Sequence, residues 1–236
     1  MNNNAYLKCI DPDCGLEYPI KSRNIECERG HLLDVKYKKT PSPDLKELFY
    51  SRRNPQGNIF NESGVWRFRE LLNFCEIDTD NKDECSKYLV SLDGAEGRQS
   101  KPYHMSKVAD FLGMNHNCLW LQPEGYNPSG SFKDNGMSTA VTHAKLIGAK
   151  RIICASTGNT SAAAAMFAAN ESMDCDVYIP AGQIAPGKLS QAYQFGAQIV
   201  QVKGNFDDAL AKSLDDAKNH DGYTVNSVNP FRIEGQ

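Results

Sequence analysis

The sequence predicts an α/β protein, a parallel sheet with flanking helices, preceded by a small ribbon-like module. Three observations carry this. From residue 151 on, short apolar runs alternate with helix-length segments over short connections, the pattern of parallel strands joined by helical crossovers. Residues 1–37 alternate short polar and apolar pieces around Cys9, Cys14, Cys27 and His31, with no helix-length periodicity. With 236 residues, 40% of them hydrophobic, the chain is long enough to bury a core in one large domain or two small ones.

Taken in order, the ribbon-like module of 1–37 runs into a Pro-rich connector, Thr40-Pro41-Ser42-Pro43. Residues 66–74 suggest a helix, and the polar stretch 78–87 reads as loop. A helical run follows at 136–148. The apolar run 151–155 is a buried strand, 159–169 an Ala-rich helix, and 176–180 a strand. Residues 187–195 read as helix, 198–202 as extended, 206–218 as helix and 222–226 as extended again. In such folds ligands sit beyond the carboxyl ends of the strands. That rule selects two loops, 156–161 after the first of these strands and 226–232 after the last.

Composition excludes several functions. A net charge of −3 with mixed signs gives no electrostatic reason to expect nucleic acid or an anionic membrane as partner. The N-terminal residues Met1-Asn2-Asn3-Asn4-Ala5-Tyr6-Leu7-Lys8 form neither an apolar signal core nor an Arg-rich transit pattern, and no apolar run approaches a membrane span. A soluble, cytoplasmic protein is therefore expected. Of eight cysteines, Cys75, Cys85, Cys118, Cys154 and Cys175 are scattered, whereas Cys9, Cys14 and Cys27 crowd the N-terminus. In a reducing compartment such crowding suggests metal rather than disulfide. Cys9 and Cys14, then Cys27 and His31, make two short knuckles separated by twelve residues, a set that suits one tetrahedral structural Zn²⁺. A ribbon held only by packing of Leu32, Leu33 and Val35 explains the irregular spacing equally well.

The chemistry centres on Asn127-Pro128-Ser129-Gly130-Ser131-Phe132-Lys133-Asp134, which sets a lysine among small and turn-forming residues at a helix entrance. Gly and Ser let backbone approach a ligand closely, and a lysine amine so placed suits a Schiff base with an aldehyde cofactor. Lys133 is the candidate covalent anchor. In the loop Ser156-Thr157-Gly158-Asn159-Thr160-Ser161, Gly158 allows a tight turn and the following helix offers its positive end to a carboxylate or phosphate. The ordinary alternative is plain N-capping by Ser or Thr. In the second loop Asn226 and Asn229 accompany Arg232, whose planar fork suits the same anions, against the alternative of a surface arginine near a turn. A nucleotide P-loop is excluded: the glycine pair Gly125 and Gly130 is followed by Ser131-Phe132, where Lys and Ser/Thr are required.

Four motifs, at 127–137, 154–161, 187–191 and 226–236, together resemble threonine synthases, pyridoxal-phosphate enzymes of the fold group shared with tryptophan synthase β and cysteine synthase. The segment Trp66-Arg67-Phe68-Arg69-Glu70-Leu71-Leu72 fits the family's longer members. The resemblance implies a two-lobed fold, with 38–127 the N-terminal part of the larger lobe, 128–228 the small α/β lobe and 229–236 the start of a return to the larger lobe. It implies that Lys133 binds pyridoxal 5'-phosphate and shuttles protons at the substrate's Cα and Cβ. Asn159 would hydrogen-bond the cofactor's phenolic oxygen, while Phe132, with Met137, packs under the cofactor. Ser156, Thr157 and Thr160 would hold the substrate carboxylate, and Asn226 with Arg232 the substrate phosphate. The implied reaction converts O-phospho-L-homoserine and water to L-threonine and phosphate, the last step of threonine biosynthesis, in a homodimer.

The chain also departs from the family. Where a Ser-Leu-Gly-Glu-Gly-x-Thr-Pro-Leu motif is usual, residues 91–102 are stretched and lack the Thr-Pro pair, and Gln122-Pro123-Glu124-Gly125 replaces Lys-Asp-Glu-Gly. Both changes bear on local packing more than chemistry. The sequence stops at Gln236, before the family's glycine-rich loop for the cofactor phosphate, so the expectation is an N-terminal portion of a longer enzyme, inactive by itself. Two other readings stand beside threonine synthase: a pyridoxal-phosphate lyase of the serine/threonine dehydratase type, which has no use for a phosphate pair at Asn226 and Arg232, and an inactive fragment that keeps the fold.

Overall fold

Alternating burial shapes the N-terminal strands. In a computed structural model that describes residues 4–38, 44–54, 57–72, 74, 77–78, 81–98, 102–182 and 186–236, strand β1 (Ala5–Cys9) turns Ala5, Leu7 and Cys9 inward. It pairs antiparallel with β2 (Glu17–Pro19) on one side and β3 (Leu33–Tyr37) on the other. The ribbon-like module is thus a three-stranded sheet in the order β2-β1-β3. The connector Thr40-Pro41-Ser42-Pro43 and Cys75 lie outside the described residues.

The middle of the chain is a set of short pieces: α1 (Leu45–Ser51), α2 (Ile59–Glu62), α3 (Lys82–Tyr88), β4 (Tyr103–His104), α4 (Ser106–Phe111) and β5 (Trp120–Leu121), the two strands pairing with each other. Two expectations are corrected here. The helix read at 66–74 is a 3₁₀ turn, Trp66–Phe68, extended by i→i+3 bonds from Leu71 to Phe68 and from Leu72 to Arg69. The cause is burial every third residue, at Ser63, Trp66 and Arg69, which matches three residues per turn rather than 3.6. The loop read at 78–87 contains α3, started by the Asn81 side chain, which accepts from the Asp83 and Glu84 N–H groups, with both acids favourably placed in the first turn.

The second half follows the alternation closely. Helix α5 (Lys133–Leu146) leads into β6 (Arg151–Ala155), α6 (Asn159–Asn170), β7 (Asp174–Pro180), α7 (Pro186–Gln194), β8 (Gln198–Val202), α8 (Phe206–Asn219), β9 (Tyr223–Thr224) and α9 (Pro230–Gly235). The four strands form one parallel sheet in the order β8-β7-β6-β9. The pleat sends Ile152, Cys154, Val177 and Ile179 to one face, against Met137, Val141 and the Ala-rich side of α6, while Ile153, Ala155 and Tyr178 meet α8 on the other. Each fully buried aliphatic side chain contributes about 1.5–3 kcal/mol. The chain leaves β6 toward β7 on one side and returns as β9 on the other. In open parallel sheets the ligand crevice lies at such a switch point, here beyond the carboxyl ends of β6 and β9.

Two glycines set how α9 meets α5. A Cβ on Gly136 would lie 2.7 Å from both the Cγ and the carbonyl oxygen of Arg232, and one on Gly235 would lie 2.3 Å from the Asn135 carbonyl. The hydroxyl of Thr139 donates to the Phe231 carbonyl at 2.7 Å across the same contact. Helix α9 is therefore pressed on the first turns of α5, and Arg232 lies close to Lys133.

Candidate active site

Lys133 is the first residue of α5, three positions earlier than the sequence pattern indicated. The turn before it is wound around a buried acid: Asp134 accepts from the Ser129 N–H at 2.8 Å and from the Ser129 hydroxyl. Gly130, at φ 81°, completes the turn by donating to the Asn127 carbonyl at 2.7 Å. Asn127 is tied in turn, accepting from the Gly97 N–H at 2.6 Å and donating to the Glu124 carboxylate at 2.9 Å. The lysine's backbone is fixed on both sides. Its Nζ lies 4.0 Å from the centroid of the half-exposed Phe132 ring. Partial burial, reinforced by the nearby Arg232 charge, lowers the amine's pKa below the ordinary lysine value.

Across the crevice, α6 begins without a cap. Gly158 occupies the N-cap position, no side chain satisfies the first turn, and the space where its Cβ would stand is open. The hydroxyl of Ser156 accepts from the Gly158 N–H at 3.1 Å, so it shapes the loop rather than capping the helix. Thr157 and Thr160 are half-buried and Asn159 is exposed at the crevice. The loop offers a helix's positive end with donors to spare.

Arg232 completes the site from the other wall. It is 1% exposed, donates from one terminal nitrogen to the Val225 carbonyl at 2.8 Å and from the other to the Thr160 hydroxyl at 3.3 Å, and leaves its buried Nε without an acceptor. No carboxylate pairs with it among the described residues. The thiol of the adjoining Cys154 cannot serve, because burial pushes it up to about 12 and keeps it neutral. A buried guanidinium without an anion is costly, and burial accordingly lowers its pKa. Asn226 holds the frame: its amide accepts from the Ala155 N–H at 3.0 Å and donates to the Ala155 carbonyl at 2.9 Å, bridging β6 to the loop after β9. One N–H and one lone pair of that amide remain for a ligand. The extended run expected at 222–226 is thus completed by a side chain rather than by backbone alone.

Arg232 links the two sides: its charge reaches Lys133, which lies beside Phe132, and its guanidinium donates to Thr160 in the loop that also carries Ser156, Thr157 and Asn159, while Asn226 bonds the Ala155 backbone at the start of that loop and Met137 packs in the core. Cys9, Cys14, Cys27 and His31 also come together, but in the N-terminal sheet. A groove of about 410 Å³ between residues 23–28 and α8 involves none of the crevice residues. Two contributors escaped sequence reasoning. Asp134 could have been found from the Ser129-x₄-Asp134 spacing around a turn glycine, whereas the role of Gly136 depends on a helix nearly a hundred residues later and has no local signal.

Comparison with known proteins follows the same lines. The family model described as "Pyridoxal-phosphate dependent enzyme" matches residues 99–236. A threonine synthase of Methanocaldococcus jannaschii is 40% identical over 229 residues, 97% of this chain and 51% of the relative. A threonine synthase of Bacillus sp. is 58% identical over 118 residues, 50% of this chain and 34% of the relative. The chain spans about half the length of the curated relatives that it matches along nearly its whole length. Among solved structures, diaminopropionate ammonia lyase from Escherichia coli in complex with D-serine aligns with a TM-score of 0.51 at 16% identity, covering 58% of this chain and 42% of that one, a likeness of fold. No helix among the described residues is long and apolar enough to cross a membrane.

Proposed function

The chain belongs to the family of pyridoxal-phosphate dependent enzymes, and we propose that its crevice serves a threonine synthase, which converts O-phospho-L-homoserine and water to L-threonine and phosphate. The observation that carries this reading is Arg232, a buried guanidinium with an orphaned Nε and no carboxylate partner among the described residues. It stands ready for an anion that arrives with the substrate. The threonine synthases among the relatives support the same reading.

The residues present fit the cofactor. Lys133 presents a partly desolvated amine for attachment, Gly158 leaves open space at the start of α6, and Asn159 can donate to the cofactor's phenolic oxygen. Phe132 adds an aromatic face near the amine. When bound, pyridoxal phosphate supplies an electron-withdrawing ring that makes protons on the attached amino acid removable. The rest falls to the chain. Lys133 moves protons at Cα and Cβ, and its lowered pKa makes the neutral, proton-accepting amine available nearer neutral pH. Ser156, Thr157 and Thr160, with the free N–H groups opening α6, take the substrate carboxylate. Arg232 takes the phosphate through charge-assisted hydrogen bonds, oriented by Asn226. In this reading residues 38–127 begin the larger lobe, 128–228 form the small lobe and 229–236 start the return.

Calorimetric binding tests the reading. O-phosphohomoserine should bind, homoserine should bind far more weakly, and Arg232→Ala should lose about 2–4 kcal/mol toward the phosphorylated ligand alone. Equal losses for phosphorylated and unphosphorylated amino acids would remove the phosphate role and favour a dehydratase-type lyase.

A further inference from the structure

We propose that Cys9, Cys14, Cys27 and His31 bind one structural Zn²⁺ that ties together the two turns of the N-terminal sheet. The four ligand atoms all lie within 4.8 Å of one another. Cys9 Sγ is 3.7 Å from Cys27 Sγ and 3.6 Å from His31 Nδ1, and Cys14 Sγ is 3.9 Å from Cys27 Sγ. Tetrahedral zinc, with bonds of about 2.3 Å to sulfur and about 2.0–2.1 Å to nitrogen, separates two thiolates by about 3.8 Å and a thiolate from an imidazole by about 3.5 Å. The observed spacings match both values. A disulfide needs sulfurs about 2.05 Å apart and would involve only two of the three thiols. Apolar packing of thiols gives no reason for an imidazole nitrogen to point among them.

The backbone is built to converge the set. Cys9 and Cys14 flank a turn closed by the Cys14 N–H donating to the Asp11 carbonyl at 3.1 Å, and Cys27 and His31 flank one closed by the Gly30 N–H donating to the Cys27 carbonyl at 2.9 Å. Gly30, at φ 78°, permits the second turn. The Ile10 N–H donates to the Leu32 carbonyl at 3.0 Å and so holds one turn against the other. The sheet already packs Ala5, Leu7, Leu33 and Val35 against Phe60, Trp66 and Phe231, so the metal ties its two turns to each other rather than replacing a core. Three thiolates and an imidazole are the donor types that favour zinc. The Asp11 carboxylate also approaches His31 Nδ1, at 3.3 Å, and is the competing partner for that nitrogen.

The test is metal analysis of the purified chain. One equivalent of zinc is expected, retained in Cys118→Ser, which alters an exposed thiol elsewhere, and largely lost in Cys27→Ser. Because Cys27→Ser can simply misfold, the unaltered chain freed of metal is also titrated with Co²⁺. Intense visible bands of tetrahedral cobalt with thiolate ligands are expected, and His31→Cys should keep one metal while shifting those bands toward a four-thiolate pattern. Asp11→Asn should keep the full equivalent, and its loss there would overturn His31 as the fourth ligand. Zinc well under one equivalent without tetrahedral cobalt bands, iron in place of zinc, or a Cys9–Cys27 disulfide in the reduced preparation would overturn the proposal.

Discussion

Lys133 and Arg232 bring two positive charges into one crevice, with no acid between them among the described residues, and each has a lowered pKa as a result of burial. For Lys133 the sign is definite. The folded state releases its proton at a lower pH than the unfolded chain, so between the depressed and the ordinary lysine values stability rises with pH. Reductive methylation of Lys133 followed across pH should give a midpoint below the ordinary lysine range. Burial is the larger cause, so Arg232→Gln should raise the midpoint part of the way; an unchanged midpoint would show that the two charges do not interact. Borohydride reduction in the presence of pyridoxal phosphate should add the cofactor's mass to the peptide that contains Lys133, and Lys133→Ala should abolish that addition. An unchanged covalent yield in the alanine variant would sink the anchor assignment. Much of this site is legible in sequence, because lysine, glycine and hydroxyl residues are crowded into two short motifs. The absence of a cap on α6 is not, since Ser156 and Thr157 are as good a capping signal on paper as any.

At the scale of elements, the contact of α5 with α9 determines where Arg232 points. Gly136→Ala would force a methyl group to within 2.7 Å of the Arg232 carbonyl oxygen, a backbone atom that cannot swing aside. Overpacking of this kind costs about 1–3 kcal/mol. Denaturant unfolding should show that loss together with weakened binding of O-phosphohomoserine. Gly125→Ala, whose Cβ would meet nothing within 4 Å, should leave that binding unaffected. Wild-type binding by Gly136→Ala would mean that α9 is not the element that aims the guanidinium. Elements with a strong period were legible: β6 carries an apolar run from Ile152 to Ala155 and β7 one from Val177 to Pro180, α6 is Ala-rich, and α8 opens with a capping box between Asn205 and Asp208. The middle was not, because α3 buries only Cys85 and so carries no apolar stripe, while the turns around Trp66 are held by partners distant in sequence, such as the Val90 carbonyl that accepts from its indole N–H at 2.7 Å.

At the scale of the molecule, His143 in α5 links Ile20, just after β2, to Tyr223 in β9, and nothing local in the sequence announces it. Its partner Ile20 is 123 residues away. The Ile20 carbonyl can only accept, so Nε2 donates to it at 2.8 Å; the neutral ring then accepts at Nδ1 from the Tyr223 hydroxyl at 2.7 Å. Phe231 stacks on the ring at 3.5 Å, beside Arg232 in α9. Burial lowers the His143 pKa from 6.5 to about 3 against a smaller opposing effect of the Ile20 carbonyl, so the imidazole is neutral in the folded protein at ordinary pH. Below the ordinary histidine value the unfolded chain takes up a proton that the folded chain refuses, and stability falls with pH by up to about 1.4 kcal/mol per unit until the folded value is reached. Above the ordinary value the term vanishes. Urea unfolding between pH 7 and about pH 5 should therefore show a steeper acid loss in the wild type than in His143→Gln, whose amide carries no titratable proton. Buried carboxyls with raised pKa, Glu96 and Asp134, act in the opposite sense but are common to both proteins and cancel in the difference. Parallel pH profiles would mean that the imidazole is protonated in the fold, with Nδ1 donating to a Tyr223 hydroxyl whose proton has turned away while Nε2 still donates to the Ile20 carbonyl.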